Sequence, residues 1–228
     1  MGKPSPPSTP QISQVSGWSF FVTFNDGWDN GGSHITERRV GWSTDPHYIQ
    51  NEVWSDRFTT IGDLTPGTTY YVWARTKNAW EWSDWSPRAQ VYTPREPDAP
   101  STPWFHDIQM NSLFANWHHN WDGGAHIQTY KLNWGTDPED LDQFSGDVWS
   151  PHKILSLEPG TVYYIRVQAK NSVGWGAWSN AGVVRTKAGA WVNDAGVWRQ
   201  AVPYVKDGGV WRLAEAWVND HGHWRQTN

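Results

Sequence analysis

The chain has 228 residues, 20 of them tryptophan, no cysteine, and a formal net charge of −5. That length accommodates two ordinary domains and an appendage. A disulfide framework and thiolate metal sites are excluded. No cluster of Lys and Arg offers a footprint for nucleic acid, and no apolar run suits a membrane span or a signal peptide.

In chain order, Pro4-Ser5-Pro6-Pro7 reads as a lead-in over the surface. From about residue 8, short β-forming runs are punctuated by the turn signals Asp29-Asn30-Gly31-Gly32, Asp45-Pro46 and Thr65-Pro66-Gly67. After Gly67, Tyr70, Val72, Ala74 and Thr76 alternate with Tyr71, Trp73, Arg75 and Lys77. This period of two predicts a strand with the first set facing a core. The join from Thr93 to Pro103 carries four prolines and predicts a semi-extended spacer.

The order then repeats at an offset of 93 residues. Phe24 maps to Trp117 and Trp28 to Trp121; with one residue deleted nearby, Trp42 maps to Trp134. Leu64, Pro66, Gly67, Tyr70, Lys77 and Asn78 return as Leu157, Pro159, Gly160, Tyr163, Lys170 and Asn171. In the second copy Tyr163, Ile165, Val167 and Ala169 form the inward set. Regular short strands with such turns predict an all-β protein of two sandwiches. The expected domains are 1–94, 95–187 and a separate module at 188–228.

Leu64-Thr65-Pro66-Gly67-Thr68-Thr69-Tyr70, followed by the alternating strand and Asn78, resembles the fibronectin type III signature, as does Leu157 through Tyr163 ending in Asn171. The resemblance implies a seven-stranded, immunoglobulin-like sandwich in each copy. It also implies that Tyr70 and Tyr163 make a tyrosine corner, with the hydroxyl bonded to upstream backbone.

Trp82-Ser83-Asp84-Trp85-Ser86 resembles the Trp-Ser-x-Trp-Ser box of cytokine-receptor fibronectin domains, and Trp175-Gly176-Ala177-Trp178-Ser179 is its weaker twin. In that family the indoles interleave with guanidinium groups. Arg75 and Arg166 are the expected partners here, in a structural role that stiffens one sandwich face. A receptor ectodomain of that family is not expected, because its disulfides, leader and membrane span have no counterpart in the sequence.

The last forty residues hold a 13-residue repeat, which runs from Trp191 to Arg199, from Tyr204 to Arg212 and from Trp217 to Arg225. Each unit fits a β-hairpin, either through a type I turn with glycine at a bulge or through a two-residue loop that shifts the register by one. The faces occupied by the tryptophans stay open between these alternatives. Lone hairpins are marginal in water, so the units are expected to pack on something. The aromatic residues Trp191, Trp198, Tyr204, Trp211, Trp217 and Trp224, with Arg199, Arg212 and Arg225, are the candidate contacts for a partner or for sugar rings. The competing reading makes the same tryptophans the core of a small module.

Similar repeats after fibronectin domains occur in minor tail proteins of phages that infect actinobacteria. This resemblance implies a structural and adhesive component of a tail tip or baseplate, assembled in the host cytoplasm and carried in the virion. Its implied partners are other tail proteins and a host surface glycan, with a threefold homo-oligomer following the tail's symmetry. The alternative is a secreted bacterial carbohydrate- or wall-binding module without its enzyme.

Catalytic and cofactor sites are not expected. His118-His119, His126 and His221-x-His223 are the dense histidines, and a His-x-His pair on a strand supplies only two ligands where zinc takes three or four. No nucleophile elbow or phosphate loop is present. No carboxylate pair stands out as one for glycoside hydrolysis.

Overall fold

The structure, a computed structural model, describes the backbone of residues 2–201, 204–213, 217–220 and 223–226, and side chains at 2–189, 195–196 and 205–210. The described residues contain strands and no helix. Contacts divide the chain into two compact units. One is Met1–Pro97 with Trp121–Ile127 and Asn171–Gly174; the other is Asp98–Asn120, Gln128–Lys170 and Trp175–Asn228.

The first sandwich comprises β1 (Gln11–Ser13), β2 (Phe20–Thr23), β3 (Glu37–Ser43), β4 (Asn51–Trp54), β5 (Phe58–Ile61), β6 (Thr69–Lys77) and β7 (Ala89–Tyr92). These form a three-stranded sheet, β1-β2-β5, and a four-stranded sheet, β4-β3-β6-β7. Side chains alternate across each strand, so one face of each sheet is apolar. Phe20 and Val22 from one sheet meet Val40, Val72 and Ala74 from the other, all completely buried. Trp73, from the outward set of β6, is also buried, because further residues cover that face.

The second sandwich repeats the order with β8 (Trp104–His106), β9 (Leu113–Asn116), β10 (Thr129–Gly135), β11 (Gln143–Phe144), β12 (His152–Ile154), β13 (Val162–Lys170) and β14 (Gly182–Arg185). Its sheets are β12-β9-β8 and β11-β10-β13-β14. Leu113, Leu132, Ile165 and Val167 are completely buried.

The proline-rich segments are not spacers. Pro4, Pro7 and Pro10 are buried, and so are their counterparts Pro97, Pro100 and Pro103. A three-residue spacing puts one edge of an extended, polyproline-like chain inward. The residues between the prolines supply the donors that proline lacks. Ser8 N donates to Asn25 O at 3.0 Å, and Ser101 N to His118 O at 2.9 Å. The side chains answer: Asn25 N donates to Ser8 Oγ and His118 N to Ser101 Oγ. Each segment is therefore the first edge of its own sandwich.

Asn78 and Asn171 lock these edges. Asn78 is fully buried; its Nδ2 donates to Gly2 O at 2.8 Å and Asn30 O at 2.9 Å, while its Oδ1 accepts from Trp80 N and Glu81 N. Asn171 Nδ2 donates to Arg95 O at 2.6 Å and Asp122 O at 2.8 Å, and Oδ1 accepts from Val173 N and Gly174 N. Both donors and both acceptor sites of each amide are used, as burial requires.

The hairpins are β15 (Ala190–Asp194) with β16 (Val197–Ala201), β17 (Tyr204–Asp207) with β18 (Val210–Leu213), and β19 (Trp217–Asp220) with β20 (His223–Gln226). Asp194 pairs with Val197 and Asp207 with Val210, so the loops have two residues, without the bulge of the type I alternative. Ala195 and Gly196 have φ of 50° and 91°, and Gly208 and Gly209 have 56° and 84°. Positive φ at both positions belongs to the type I′ turn, whose twist matches that of the flanking strands.

Candidate functional site

The Trp-Ser box lies along β6 because its serines clip it there. Ser83 N donates to Thr76 O at 2.7 Å and Ser86 N to Ala74 O at 2.8 Å. In return Thr76 N donates to Ser83 Oγ and Ala74 N to Ser86 Oγ. The indoles thereby lie over the outward residues of β3 and β6. The Arg75 guanidinium sits 4.5 Å from the ring centre of Trp82 and 4.4 Å from that of Trp85. Lys77 at 5.5 Å and Arg39 at 5.9 Å approach Trp82 as well. Carboxylates close the stack at its edges, with Glu52 Oε2 2.6 Å from Arg75 Nη2 and Glu37 Oε1 3.0 Å from Lys77 Nζ. The Nε atoms of Arg39 and Arg75 are buried without a hydrogen-bond acceptor, so ring faces replace water at these two nitrogens. Each such contact contributes about 0.5–2 kcal/mol, depending on desolvation.

The twin box is looser. Ser179 repeats the clip on Val167, but Gly176 has no hydroxyl to repeat the other. Arg166 stands at the place of Trp73, not of Arg75, and its guanidinium reaches Trp178 alone, at 5.0 Å. At the place of Arg75 is Gln168, whose Nε2 donates to Gly176 O at 2.6 Å. Trp175 receives Lys131 at 4.7 Å and Lys170 at 5.6 Å instead. Among the described residues no guanidinium is shared between Trp175 and Trp178, because this copy exchanges arginine for glutamine at the centre.

The two signature tyrosines are buried. Tyr70 OH accepts from Thr65 N at 3.0 Å and Tyr163 OH from Glu158 N at 2.8 Å. For the repeat residues, the backbone register sets the faces that the sequence left open. Positions 191 and 198, 204 and 211, and 217 and 224 fall on one face of their ribbons, with 199, 212 and 225 on the other. On that second face Val205 and Val210 are more than half exposed. The side chains of Trp191, Trp198, Tyr204, Trp211, Trp217 and Trp224, and of the three repeat arginines, lie outside the described residues.

A cleft of about 460 Å³ opens in the first sandwich, lined by Asp26, Trp28, Asp29, His34, Arg38 and Arg57 among others. Arg38 donates Nε and Nη2 to the two carboxylate oxygens of Asp26, both at 2.7 Å, and Arg57 Nη2 approaches Asp26 Oδ2 at 3.0 Å. The hydrogen bond from Arg38 holds the Asp26 carboxyl below its ordinary pKa despite partial burial, and the same bond raises Arg38. Trp28 stands at the rim, 92% exposed. Sequence reasoning matched Trp28 to Trp121 but missed the cleft. The available signal was divergence: the second copy has His119 for Asp26 and Tyr130 for Arg38. There Tyr130 packs edge-on against Trp117 and Trp149, so the fold accepts aromatic residues where the first copy has charges.

Among the described residues no group of three or more His, Asp or Glu is placed to hold a metal ion. His118 packs against Trp104 with ring centres 4.7 Å apart.

Residues 98–185 match the Fibronectin type III domain family. Human fibronectin type-III domain-containing protein 3A is 29% identical over 153 residues, which is 66% of this chain and 13% of that protein. Mouse fibronectin type III domain containing protein 3C1 is 31% identical over 129 residues, covering 55% of this chain and 9% of that protein. This chain thus spans only a small part of their length. A two-domain fibronectin type III segment of chicken tenascin is 16% identical, with a TM-score of 0.37 over 79% of this chain and 99% of that one.

These relatives are animal proteins, which overturns the phage reading. The tail-tip function, the tail-protein and host-glycan partners, the threefold assembly and the virion location fall together, and the bacterial wall module goes with them. The repeat resemblance rested on the hairpin module, whereas the relatives carry fibronectin type III domains. The missing cysteines had no weight against an animal origin, since both sandwiches close on packed side chains without a disulfide. Residues 98–185 are a fibronectin type III domain, and the residues before them repeat its strand order and its tyrosine clamp in a first copy.

Proposed function

We propose that the chain is a non-catalytic recognition protein. The sandwiches at 1–94 and 95–187 are its spacers, the Trp-Ser boxes stiffen them, and the module at 188–228 makes contact. The observation that carries this reading is the common register of the three hairpins. It puts positions 191 and 198, 204 and 211, and 217 and 224 on one face of their ribbons. Positions 199, 212 and 225 fall on the opposite face, which in the second ribbon also holds the exposed Val205 and Val210. A two-faced ribbon can anchor by one side and meet a partner by the other, and flat aromatic rings suit apolar contact beside polar groups.

The test uses the intact chain on an array of immobilised animal proteins. Binding is expected to fall about tenfold or more on replacing Trp198, Trp211 and Trp224 with alanine, because three aromatic contacts of about 0.5–1.5 kcal/mol each are removed. Trp82→Ala, in the stiffening stack, is expected to leave binding intact. Unchanged binding in the triple variant, or none by the parent chain, would refute the assignment to the hairpin face.

A further inference from the structure

Asn30-Gly31 is the only Asn-Gly pair in the chain, and the turn around it sets polar groups on the two atoms that such a pair joins when it closes to a succinimide. The attacking atom is Gly31 N, which donates to Asp29 Oδ1 at 2.8 Å. Glycine has no side chain to shield that nitrogen. A carboxylate on the proton of the nucleophile is the arrangement of a general base. The atom attacked is Asn30 Cγ, whose oxygen Oδ1 accepts from Gly32 N at 2.9 Å. That donor is placed for the negative charge the oxygen gains when Cγ becomes tetrahedral.

The backbone is fixed on both sides of the pair. Ser5 N donates to Asp29 O at 2.9 Å, and Asp29 N donates to Ser5 Oγ at 2.9 Å. Asn30 O accepts from the buried Asn78 Nδ2 at 2.9 Å, and Gly31 O accepts from Gly2 N at 3.1 Å. Groups held in this way react without first being gathered. Asn30 itself is exposed to water.

The second copy shows how the fold receives an acid at this place. Asp122 Oδ1 accepts from Gly124 N at 2.9 Å, and Asp122 O accepts from Asn171 Nδ2 at 2.8 Å, so Asp122 is the counterpart of Asn30. Trp121 then stands at the backbone place of Asp29, and the first loop has an extra residue beside Trp28. The second loop has the acid and the clamp, but not the carboxylate that would act on the glycine nitrogen.

We propose that Asn30 is a site of spontaneous covalent modification, assisted by Asp29. Gly31 N bonds to Asn30 Cγ as its proton passes to the Asp29 carboxylate. The Cγ–Nδ2 bond breaks, and ammonia leaves with that proton, so that a cyclic succinimide remains. Water then adds to either ring carbonyl. Opening at Cγ gives aspartate in the frame seen at Asp122. Opening at the backbone carbonyl gives isoaspartate, which runs the main chain through an additional carbon and turns the carbonyl held by Asn78 into a free carboxylate. The first product leaves the clamp intact, and the second loosens the lock on the Gly2 edge. This chemistry is separate from the hairpin reading and does not depend on it.

The experiment ages the intact chain at neutral pH and body temperature. Peptide mapping by mass spectrometry follows the acid at position 30, and an L-isoaspartyl methyltransferase labels the isoaspartate. Conversion is expected to run about threefold or more faster in the intact chain than in a blocked peptide copying residues 26–34, where the frame is absent. Asp29→Ser keeps an acceptor for Gly31 N but no carboxylate, and is expected to slow conversion in the chain about tenfold or more. Asn30→Asp is expected to melt close to the parent. The isoaspartyl chain, separated by ion exchange, is expected to melt about 4 °C or more lower, as the loss of one clamp bond in a domain of this size implies. Conversion no faster in the chain than in the peptide would overturn the proposal, as would an equal rate in Asp29→Ser or an isoaspartyl chain that melts with the parent.

Discussion

Asp26 holds two guanidinium groups on one carboxylate, with its side chain 19% exposed, and that geometry makes stability depend on pH in a defined window. Its folded pKa lies below the unfolded value of about 3.9. The contribution is therefore fully present above about pH 4 and is lost as pH falls through the folded value. Arg38, with its pKa raised, would lose its share only in strong alkali. Asp26→Asn is expected to lower stability by about 2 kcal/mol at pH 7, the scale of a charge-assisted hydrogen bond. The gap to the parent should shrink below about pH 4, as read by denaturant titration at several pH values. A gap constant from pH 7 to pH 2 would assign the loss to packing. This cluster was illegible in the sequence, because its members lie on a loop, a strand and a turn, and no periodicity joins them. The stack of Arg75 on Trp82 and Trp85 was legible for the opposite reason. A motif fixes both indoles, and a period of two puts Arg75 on the outward face.

At the scale of elements, pairing by period was readable and turn geometry was not. The inward sets of β6 and β13 follow directly from alternation and are buried, joined in β6 by Trp73 of the outward set. Asn-Asp-Ala-Gly, by contrast, suits either a bulged or a two-residue hairpin, and only the backbone decides between them. The chosen turn puts Ala195 at φ 50°, a left-handed conformation that costs a residue with a Cβ about 1 kcal/mol or more. Asparagine tolerates that region and favours the type I′ turn before glycine. Ala195→Asn is accordingly expected to slow amide exchange across the β15–β16 pairs about fivefold, the equivalent of about 1 kcal/mol. Unchanged exchange would show that the strain at Ala195 does not limit opening.

For the whole molecule, the proline-rich join changes meaning once its hydrogen bonds are followed. Proline spacing and the lack of apolar periodicity read as a spacer, because composition cannot distinguish a free extended chain from one docked along a sandwich edge. Pro4-x-x-Pro7-x-x-Pro10 against Pro97-x-x-Pro100-x-x-Pro103 carried the answer, since the 93-residue offset runs through the join without a break. A domain cut after Pro103 would therefore remove the edge of the second sandwich. Asn171 would lose the Arg95 carbonyl, and His118 would lose both bonds to Ser101. With about 1 kcal/mol for each bond and a penalty for the buried amide left unpaired, the fragment 104–187 is expected to be less stable than 94–187 by about 3 kcal/mol or more. The same logic sets 11–93 below 1–93, where Asn78 loses the Gly2 carbonyl. Thermal melts of the four fragments check both pairs. If the short and long fragments melt together, the prolines are a tether after all, and the burial of Pro97, Pro100 and Pro103 contributes little to folding.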